Sequence, residues 1–122
     1  MTPGIVIWRT IESKRMKLTE KKCRPVSGPG GLLDKITTES YLAELNEGWK
    51  VDDNQMIWKE FPFLNFSLGM QFAQKIADLA EAENHHPDLM IKYTMVRVEL
   101  STHDVGGLSE NDFILAAKID QI

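Results

Sequence analysis

The segment from 65 to 84 most limits the possible folds, because it carries the strongest helical pattern in the chain. Its apolar residues recur every three or four positions, as they do on the buried side of an amphipathic helix. The main row consists of Phe66, Met70, Ala73, Ile76, Ala77 and Ala80, and a second row consists of Leu68, Phe72 and Leu79. The two rows make a broad stripe, so we expect this helix to cover a sheet on one side and to contact another subunit on the other.

The segments on either side of this helix alternate between polar and apolar residues, as half-buried strands do. Before it, two strands at 49–51 and 56–63 flank Asp52-Asp53-Asn54, three residues that suit a turn, and the pair predicts a β-hairpin. After it, two further strands are predicted at 89–91 and 95–100. The helix therefore lies between two pairs of strands.

Two shorter helices complete the pattern. One is predicted over about 38–46, capped by the hydroxyl groups of residues 37–40, and the other over about 110–121, where Ser109 stands three residues before Asp112. The order helix, strand, strand, helix, strand, strand, helix does not alternate single strands with helices, which disfavours a parallel doubly wound sheet. We predict an α+β fold, in which a four-stranded antiparallel sheet has three helices packed on one face.

The 122 residues suffice for one domain with one core, and no apolar run approaches the roughly 18 residues of a membrane span. A single cysteine, Cys23, and the lack of a recognisable signal peptide favour a reducing, cytoplasmic location. Residues 1–24 have a net charge of +5, whereas the rest of the chain has −9. An acidic body repels phosphate backbones, so direct nucleic-acid binding is not expected.

The first residues show no sustained period, and we interpret residues 1–16 as an N-terminal extension to a domain at 17–122. A flexible tail, a weak targeting presequence and translated sequence upstream of a start at Met16 are the three alternatives. Residues 21–31 contain closely spaced prolines and glycines and are predicted to form a loop.

All three histidines fall between positions 85 and 103, and two of them are adjacent in Asn84-His85-His86-Pro87. Histidine exchanges protons near neutral pH, and Pro87 keeps His86 out of helical geometry, so the helix should end here and present both rings. Glu81 lies four residues before His85, within reach of its imidazole on a continuous helix. His103 joins the pair only if the last strand lies beside the helix end.

A metal site is the main alternative for three histidines. The spacing lacks His-Glu-x-x-His and any paired cysteines, and adjacent histidines rarely converge on one ion. We therefore predict an acid-base cluster with neither metal nor cofactor.

This part of the sequence resembles the signature of the pterin-4a-carbinolamine dehydratase family. Every constrained position is matched, by Glu81, His85, His86, Pro87, Tyr93, His103 and Asp112. Outside the signature the resemblance includes Gly48-Trp49, the Phe61-x-Phe63 pair and residues 101–109, and it covers about 17–122.

The resemblance implies particular roles for these residues. His85, His86 and His103 would surround the C4a hydroxyl of a pterin, and Glu81 would support the histidine pair. The remaining pocket residues would be Asn84, Pro87, Ser101, Thr102, Asp104 and Trp49, although Trp49 fits the hairpin core equally well. For Asp112 helix capping is favoured over direct chemistry.

The implied reaction is dehydration of 4a-hydroxytetrahydrobiopterin to quinonoid dihydropterin, a step of tetrahydrobiopterin recycling. The implied assembly is a homodimer or homotetramer. Animal members of the family also act as a dimerisation cofactor of a homeodomain transcription factor, so a protein-interaction module, a dimerisation cofactor or transcriptional coactivator, is the alternative function.

Overall fold

The computed structural model describes residues 16–122, and the predicted extension at 1–16 lies outside them except for Met16. The helices are α1 (Lys35–Leu42), α2 (Phe66–Glu83) and α3 (Glu110–Ile119), and the strands are β1 (Lys50–Asp52), β2 (Met56–Pro62), β3 (Asp88–Lys92) and β4 (Met95–Leu100). Short 3-10 turns occur at Leu18–Glu20, Pro29–Gly31 and His103–Val105.

The four strands form one antiparallel sheet in the order β1-β2-β4-β3. One face is apolar, because Val96, Val98 and Leu100 of β4 and Ile57 of β2 are fully buried there. Their neighbours in the sequence, such as Arg97, lie on the opposite, partly exposed face. The predicted α+β fold with a four-stranded antiparallel sheet is confirmed.

The core between sheet and helices consists mainly of α2 and α3. Phe72 and Ile76 of α2 pack with Phe113 of α3, and the Phe113 ring lies 5.5 Å from that of Tyr41, which brings α1 onto the same core. Eight of the ten α3 residues are buried, so α3 is the most enclosed helix. Its first turn is therefore a rigid place for functional groups.

The predicted stripe of α2 is mostly buried in its middle and C-terminal part and exposed near its start. Phe66 and Met70 are 47% and 44% exposed, whereas Gly69, Phe72, Ala73, Ile76 and Ala80 face the core. Gly69 faces β4 directly, since a Cβ built on it would lie 3.4 Å from the Val96 side chain. Glycine adds nothing to an apolar pattern, so the sequence did not indicate Gly69 as part of the buried stripe.

Helix α1 begins earlier than predicted. Its cap is Asp34, whose carboxylate accepts a hydrogen bond from the Thr37 N–H at 2.8 Å, and the helix ends at Leu42 rather than near residue 46. Aspartate is a better cap than threonine, which moves the start by three residues. In contrast α2 starts where the segment 65–84 predicts it, since Asn65 caps the helix by accepting a hydrogen bond from the Leu68 N–H.

Candidate functional site

The first turn of α3 contains a buried carboxylate that holds the first histidine of the pair. Asp112 has no exposed surface, and one of its oxygens lies 2.7 Å from Nε2 of His85. Its other oxygen accepts hydrogen bonds from the Thr102 hydroxyl at 2.8 Å and the Ser109 N–H at 2.9 Å. A carboxylate fixed by Thr102 and Ser109 fixes in turn the ring orientation of His85.

The end of α2 explains why His85 reaches Asp112. Asn84 adopts the left-handed conformation (φ 52°), and the His85 N–H donates to the carbonyl of Ala80 at 3.2 Å, as in a helix-terminating cap. His85 therefore leaves the helical path and turns its ring toward α3. Pro87 and β3 then carry the chain back into the sheet.

The second histidine has a different carboxylate partner. His86 is hydrogen-bonded through Nε2 to Glu81, and both side chains are more than half exposed. The expected contact of Glu81 with His85 is wrong, because the left-handed Asn84 breaks the helical relation between positions four apart. Each histidine of the pair thus has its own carboxylate, one buried and one at the surface.

The His85 side of the site is a cavity of about 210 Å³. Of the residues predicted for the pocket, Asn84, His85, Thr102 and Asp104 line it. The others lining it are Cys23, Arg24, Pro25, Val26, Glu83 and Asn111. Thr102 also lines the neighbouring cavity, on which the third histidine lies.

His103 lines a larger, neighbouring cavity of about 500 Å³ together with Ser101, Thr102 and the β1–β2 turn. A Cβ at Gly107 would lie 2.9 Å from the Leu32 Cδ1, so this glycine lets the Leu32 side chain pack closely on the loop that follows His103. The imidazole of His103 is exposed and forms no hydrogen bond within residues 16–122. His85 and His103 thus lie on two cavities that share Thr102.

Four predicted site residues line neither cavity, namely the paired Glu81 and His86, and also Pro87 and Trp49. Pro87 is half-buried in the turn before β3. Trp49 is 6% exposed, and its Nε1–H donates to Asp120 at 2.9 Å, an aspartate that also binds the Lys59 ammonium at 2.9 Å. Its ring also packs edge-on against Phe61, so Trp49 is placed in the hairpin core, and its contact with a substrate stays a prediction.

The sequence alone did not indicate the segment 23–26 as part of the site. Cys23 is the only cysteine of the chain, and burial together with the negative charge of Glu83 raises the pKa of its thiol to about 12. This thiol therefore stays protonated and does not act as a nucleophile at neutral pH. Its backbone has the structural role, since the Cys23 N–H donates to Glu83 at 2.8 Å.

Within residues 16–122, no group of three or more histidine, cysteine, aspartate or glutamate side chains is arranged to hold a metal ion. No helix in the same range has the length and apolar character needed to cross a membrane. The described site thus offers imidazoles, carboxylates and hydroxyls as its chemical groups.

Comparison with known proteins identifies the family. The family model for pterin 4 alpha carbinolamine dehydratase matches residues 32–122. The chain belongs to this family. A relative from Nitrosomonas eutropha is 44% identical over 105 residues, which cover 86% of this chain and 92% of the relative. A relative from Rickettsia canadensis is 47% identical over 103 residues, which cover 84% and 94%. Both carry the name "Putative pterin-4-alpha-carbinolamine dehydratase".

Two solved structures are similar to this chain. The crystal structure of a transcriptional coactivator/pterin dehydratase from Brucella melitensis is 33% identical, with a TM-score of 0.68 over 73% of this chain and 95% of that chain. A pterin dehydratase-like protein described as a RuBisCO assembly factor in the alpha-carboxysome is 24% identical, with a TM-score of 0.54 over 62% of this chain, and shows the fold alone.

Proposed function

We propose that this pterin dehydratase family member removes water from a 4a-hydroxytetrahydropterin to give a quinonoid dihydropterin, as in tetrahydrobiopterin recycling. The observation that carries the proposal is the buried hydrogen bond between Asp112 and His85 at the cavity. A histidine held by a buried carboxylate and facing a cavity is suited to transfer protons at a defined position. The family membership supports a pterin as the substrate.

The reaction requires two proton transfers, because hydroxide is a poor leaving group. One imidazole donates a proton to the C4a hydroxyl while the N5 lone pair expels water, and a second imidazole accepts the proton that N5 then loses. His85 and His103 are the two candidates, since they lie on either side of Thr102. His86 is paired with Glu81 at the surface and lines neither cavity, so we assign it no proton transfer. No cofactor takes part in these steps.

A direct assay tests the proposal. A pterin-dependent hydroxylase generates the 4a-carbinolamine, and its disappearance is followed by absorbance with and without this protein. We expect the purified protein to accelerate the loss well beyond the rate without protein. Equal rates at micromolar protein would overturn the proposal.

Asp112 should act as a positioning residue for His85. In Asp112→Asn the shape and the contacts to Thr102 and Ser109 are largely kept, but the neutral amide does not hold the imidazole as a carboxylate does. We expect kcat to fall about 10- to 100-fold with KM changed less than about threefold, as for other orienting groups. A 10- to 100-fold rise of KM with unchanged kcat would contradict this role. Asp78→Asn, on the exposed side of α2, is the matched control.

We also propose that the protein is a homodimer or homotetramer. Leu64 and Tyr93 are 92% and 78% exposed, and Phe66 is also exposed. A hydrogen bond from the Phe63 N–H to the Thr94 carbonyl joins the segment that follows β2 to the β3–β4 turn, which brings these apolar side chains to the same region. Such an apolar patch is typical of an interface. Sedimentation of the wild type should show an oligomer, and Leu64→Asp should shift it toward monomer. Ile36→Asp, at another highly exposed position (80%) on α1, should not.

A second candidate function is suggested by the Brucella structure, whose title names a transcriptional coactivator as well as a dehydratase. A protein-interaction module would use the apolar patch rather than the cavities. Loss of partner binding in Leu64→Asp with dehydration intact would separate the two functions.

A cytoplasmic location stays a prediction.

A further inference from the structure

The segment Cys23–Val26 forms a preformed wall of the His85 cavity. Asn111, 5% exposed, binds the backbone of Arg24 in both directions, because its Oδ1 accepts from the Arg24 N–H at 3.1 Å and its Nδ2 donates to the Arg24 carbonyl at 2.6 Å. The Cys23 N–H is held by Glu83, and the Gly28 N–H donates to the Asp104 carbonyl at 3.1 Å. The wall is thus attached to the same α3 turn that positions His85.

The wall contributes one permanent positive charge to this cavity. Arg24 is the one lysine or arginine among the described residues that line it, and its side chain is exposed. Its guanidinium forms no hydrogen bond or ion pair within residues 16–122, and the nearby Glu110 is already bound by Lys21 and Tyr41. Arg24 is therefore available to a ligand, and arginine pairs well with carboxylate and phosphate.

The charges of the other residues restrict where an anion can bind. Glu83 is neutralised by Lys118 at 2.7 Å and Lys22 at 3.5 Å, whereas Asp104 lines the same cavity and disfavours an anion placed deep inside. The cavity of about 210 Å³ is smaller than a typical small-molecule pocket of roughly 300–1,000 Å³. A ring that reaches His85 therefore leaves its substituent at the rim, beside Arg24.

We propose that Arg24 binds a carboxylate or phosphate on the side chain of the pterin and so selects pterins with an anionic substituent. This inference rests on the dehydratase proposal for the identity of the ring. It also assigns a function to one residue of the basic segment 1–24, in a chain whose remaining residues are acidic overall. Attraction to the anionic side chain should weaken as salt is added, because Arg24 lies at the surface.

Ligand binding tests the inference separately from turnover. Fluorescence titration compares 6-hydroxymethylpterin, which is neutral in its side chain, with its phosphate monoester and with pterin-6-carboxylate. We expect the wild type to bind at least one of the two anionic ligands about tenfold more tightly than the neutral one, and the two anionic ligands distinguish phosphate from carboxylate. Arg24→Gln should remove this preference without weakening binding of the neutral ligand.

The matched control is Lys92→Gln, which makes the same charge change at the far end of β3 and should keep the preference. Equal affinities for all three ligands in the wild type, or a preference unchanged in Arg24→Gln, would overturn the inference. Dehydration of a neutral carbinolamine by a protein without anion preference leaves the proposed function intact and removes this inference. A preference for anionic pterins without dehydration would support this inference and overturn the proposed function.

Discussion

Replacing His85 by Gln is expected to lower kcat for carbinolamine dehydration by about 10²- to 10⁴-fold, the usual contribution of a general acid or base. Gln is the informative replacement, because its amide can still reach the buried Asp112 and so avoids an uncompensated buried charge. His103→Ala should cause a loss of similar size. His103 is exposed and binds no described side chain, so its removal should not affect folding.

The triple variant, with Ala at positions 85, 86 and 103, should reduce dehydration to the rate seen without protein. Circular dichroism and thermal unfolding establish that each variant is folded, and Gln121→Ala at the exposed C-terminus serves as the control substitution. Full turnover in a folded triple variant would refute acid-base catalysis by these histidines. Retained oligomerisation and partner binding in the same variant would favour the protein-interaction module.

The fold was largely predictable because its elements are marked by local patterns. The long helix α2, its Asn65 cap and the alternation in β4 are each written in neighbouring residues, and the antiparallel arrangement follows from their order. The errors have local physical causes. Asp34 displaced the start of α1, and Gly69 carries no side chain by which its close approach to the sheet could be recognised.

The site was predictable only as a set of residues. Adjacent histidines before Pro87 indicated a turn with two imidazoles, and the family signature added His103. The carboxylate that holds His85 is 27 positions further along the chain, in a residue also suited to capping α3, so no local pattern reveals the pair. Asp112 in fact does both, since it binds His85 and the Ser109 N–H.

The wall formed by Cys23–Val26 was even less predictable from the sequence than the histidine pair. Cys23 and Arg24 are bound by Glu83 and Asn111, which are 60 and 87 residues away, and the segment itself reads as a loop. Hydrogen bonds between backbone and distant side chains leave no periodicity in the sequence. Only the tertiary structure places this segment at the cavity.

Glu83, the last residue of α2, should contribute strongly to the pH dependence of stability. It is 6% exposed and receives hydrogen bonds from Lys118 and from the Cys23 N–H. Burial alone would raise its pKa, but these hydrogen bonds and the charges of Lys118 and Lys22 outweigh that effect and lower the pKa to about 2. The carboxylate therefore stabilises the folded state whenever it is ionised.

The sign follows from the lowered pKa. The stabilisation is fully present above the ordinary glutamate pKa of about 4.5 and is lost as the pH falls toward 2, where the folded protein also takes up the proton. Glu83→Gln should lower the free energy of unfolding by about 3 kcal/mol at pH 7, and this difference from the wild type should shrink progressively between about pH 4.5 and 2.

Urea denaturation of both proteins at pH 7, 4 and 3 measures this difference. Glu47→Gln, an exposed position before β1, is the control and should unfold like the wild type at every pH. A difference that stays constant with pH would mean that Glu83 acts through packing rather than through its charge.

Glu83 also anchors the Cys23 N–H, so loss of its carboxylate should loosen the wall that presents Arg24. Glu83→Gln should therefore weaken anionic pterin binding even at pH 7, where the protein is still folded.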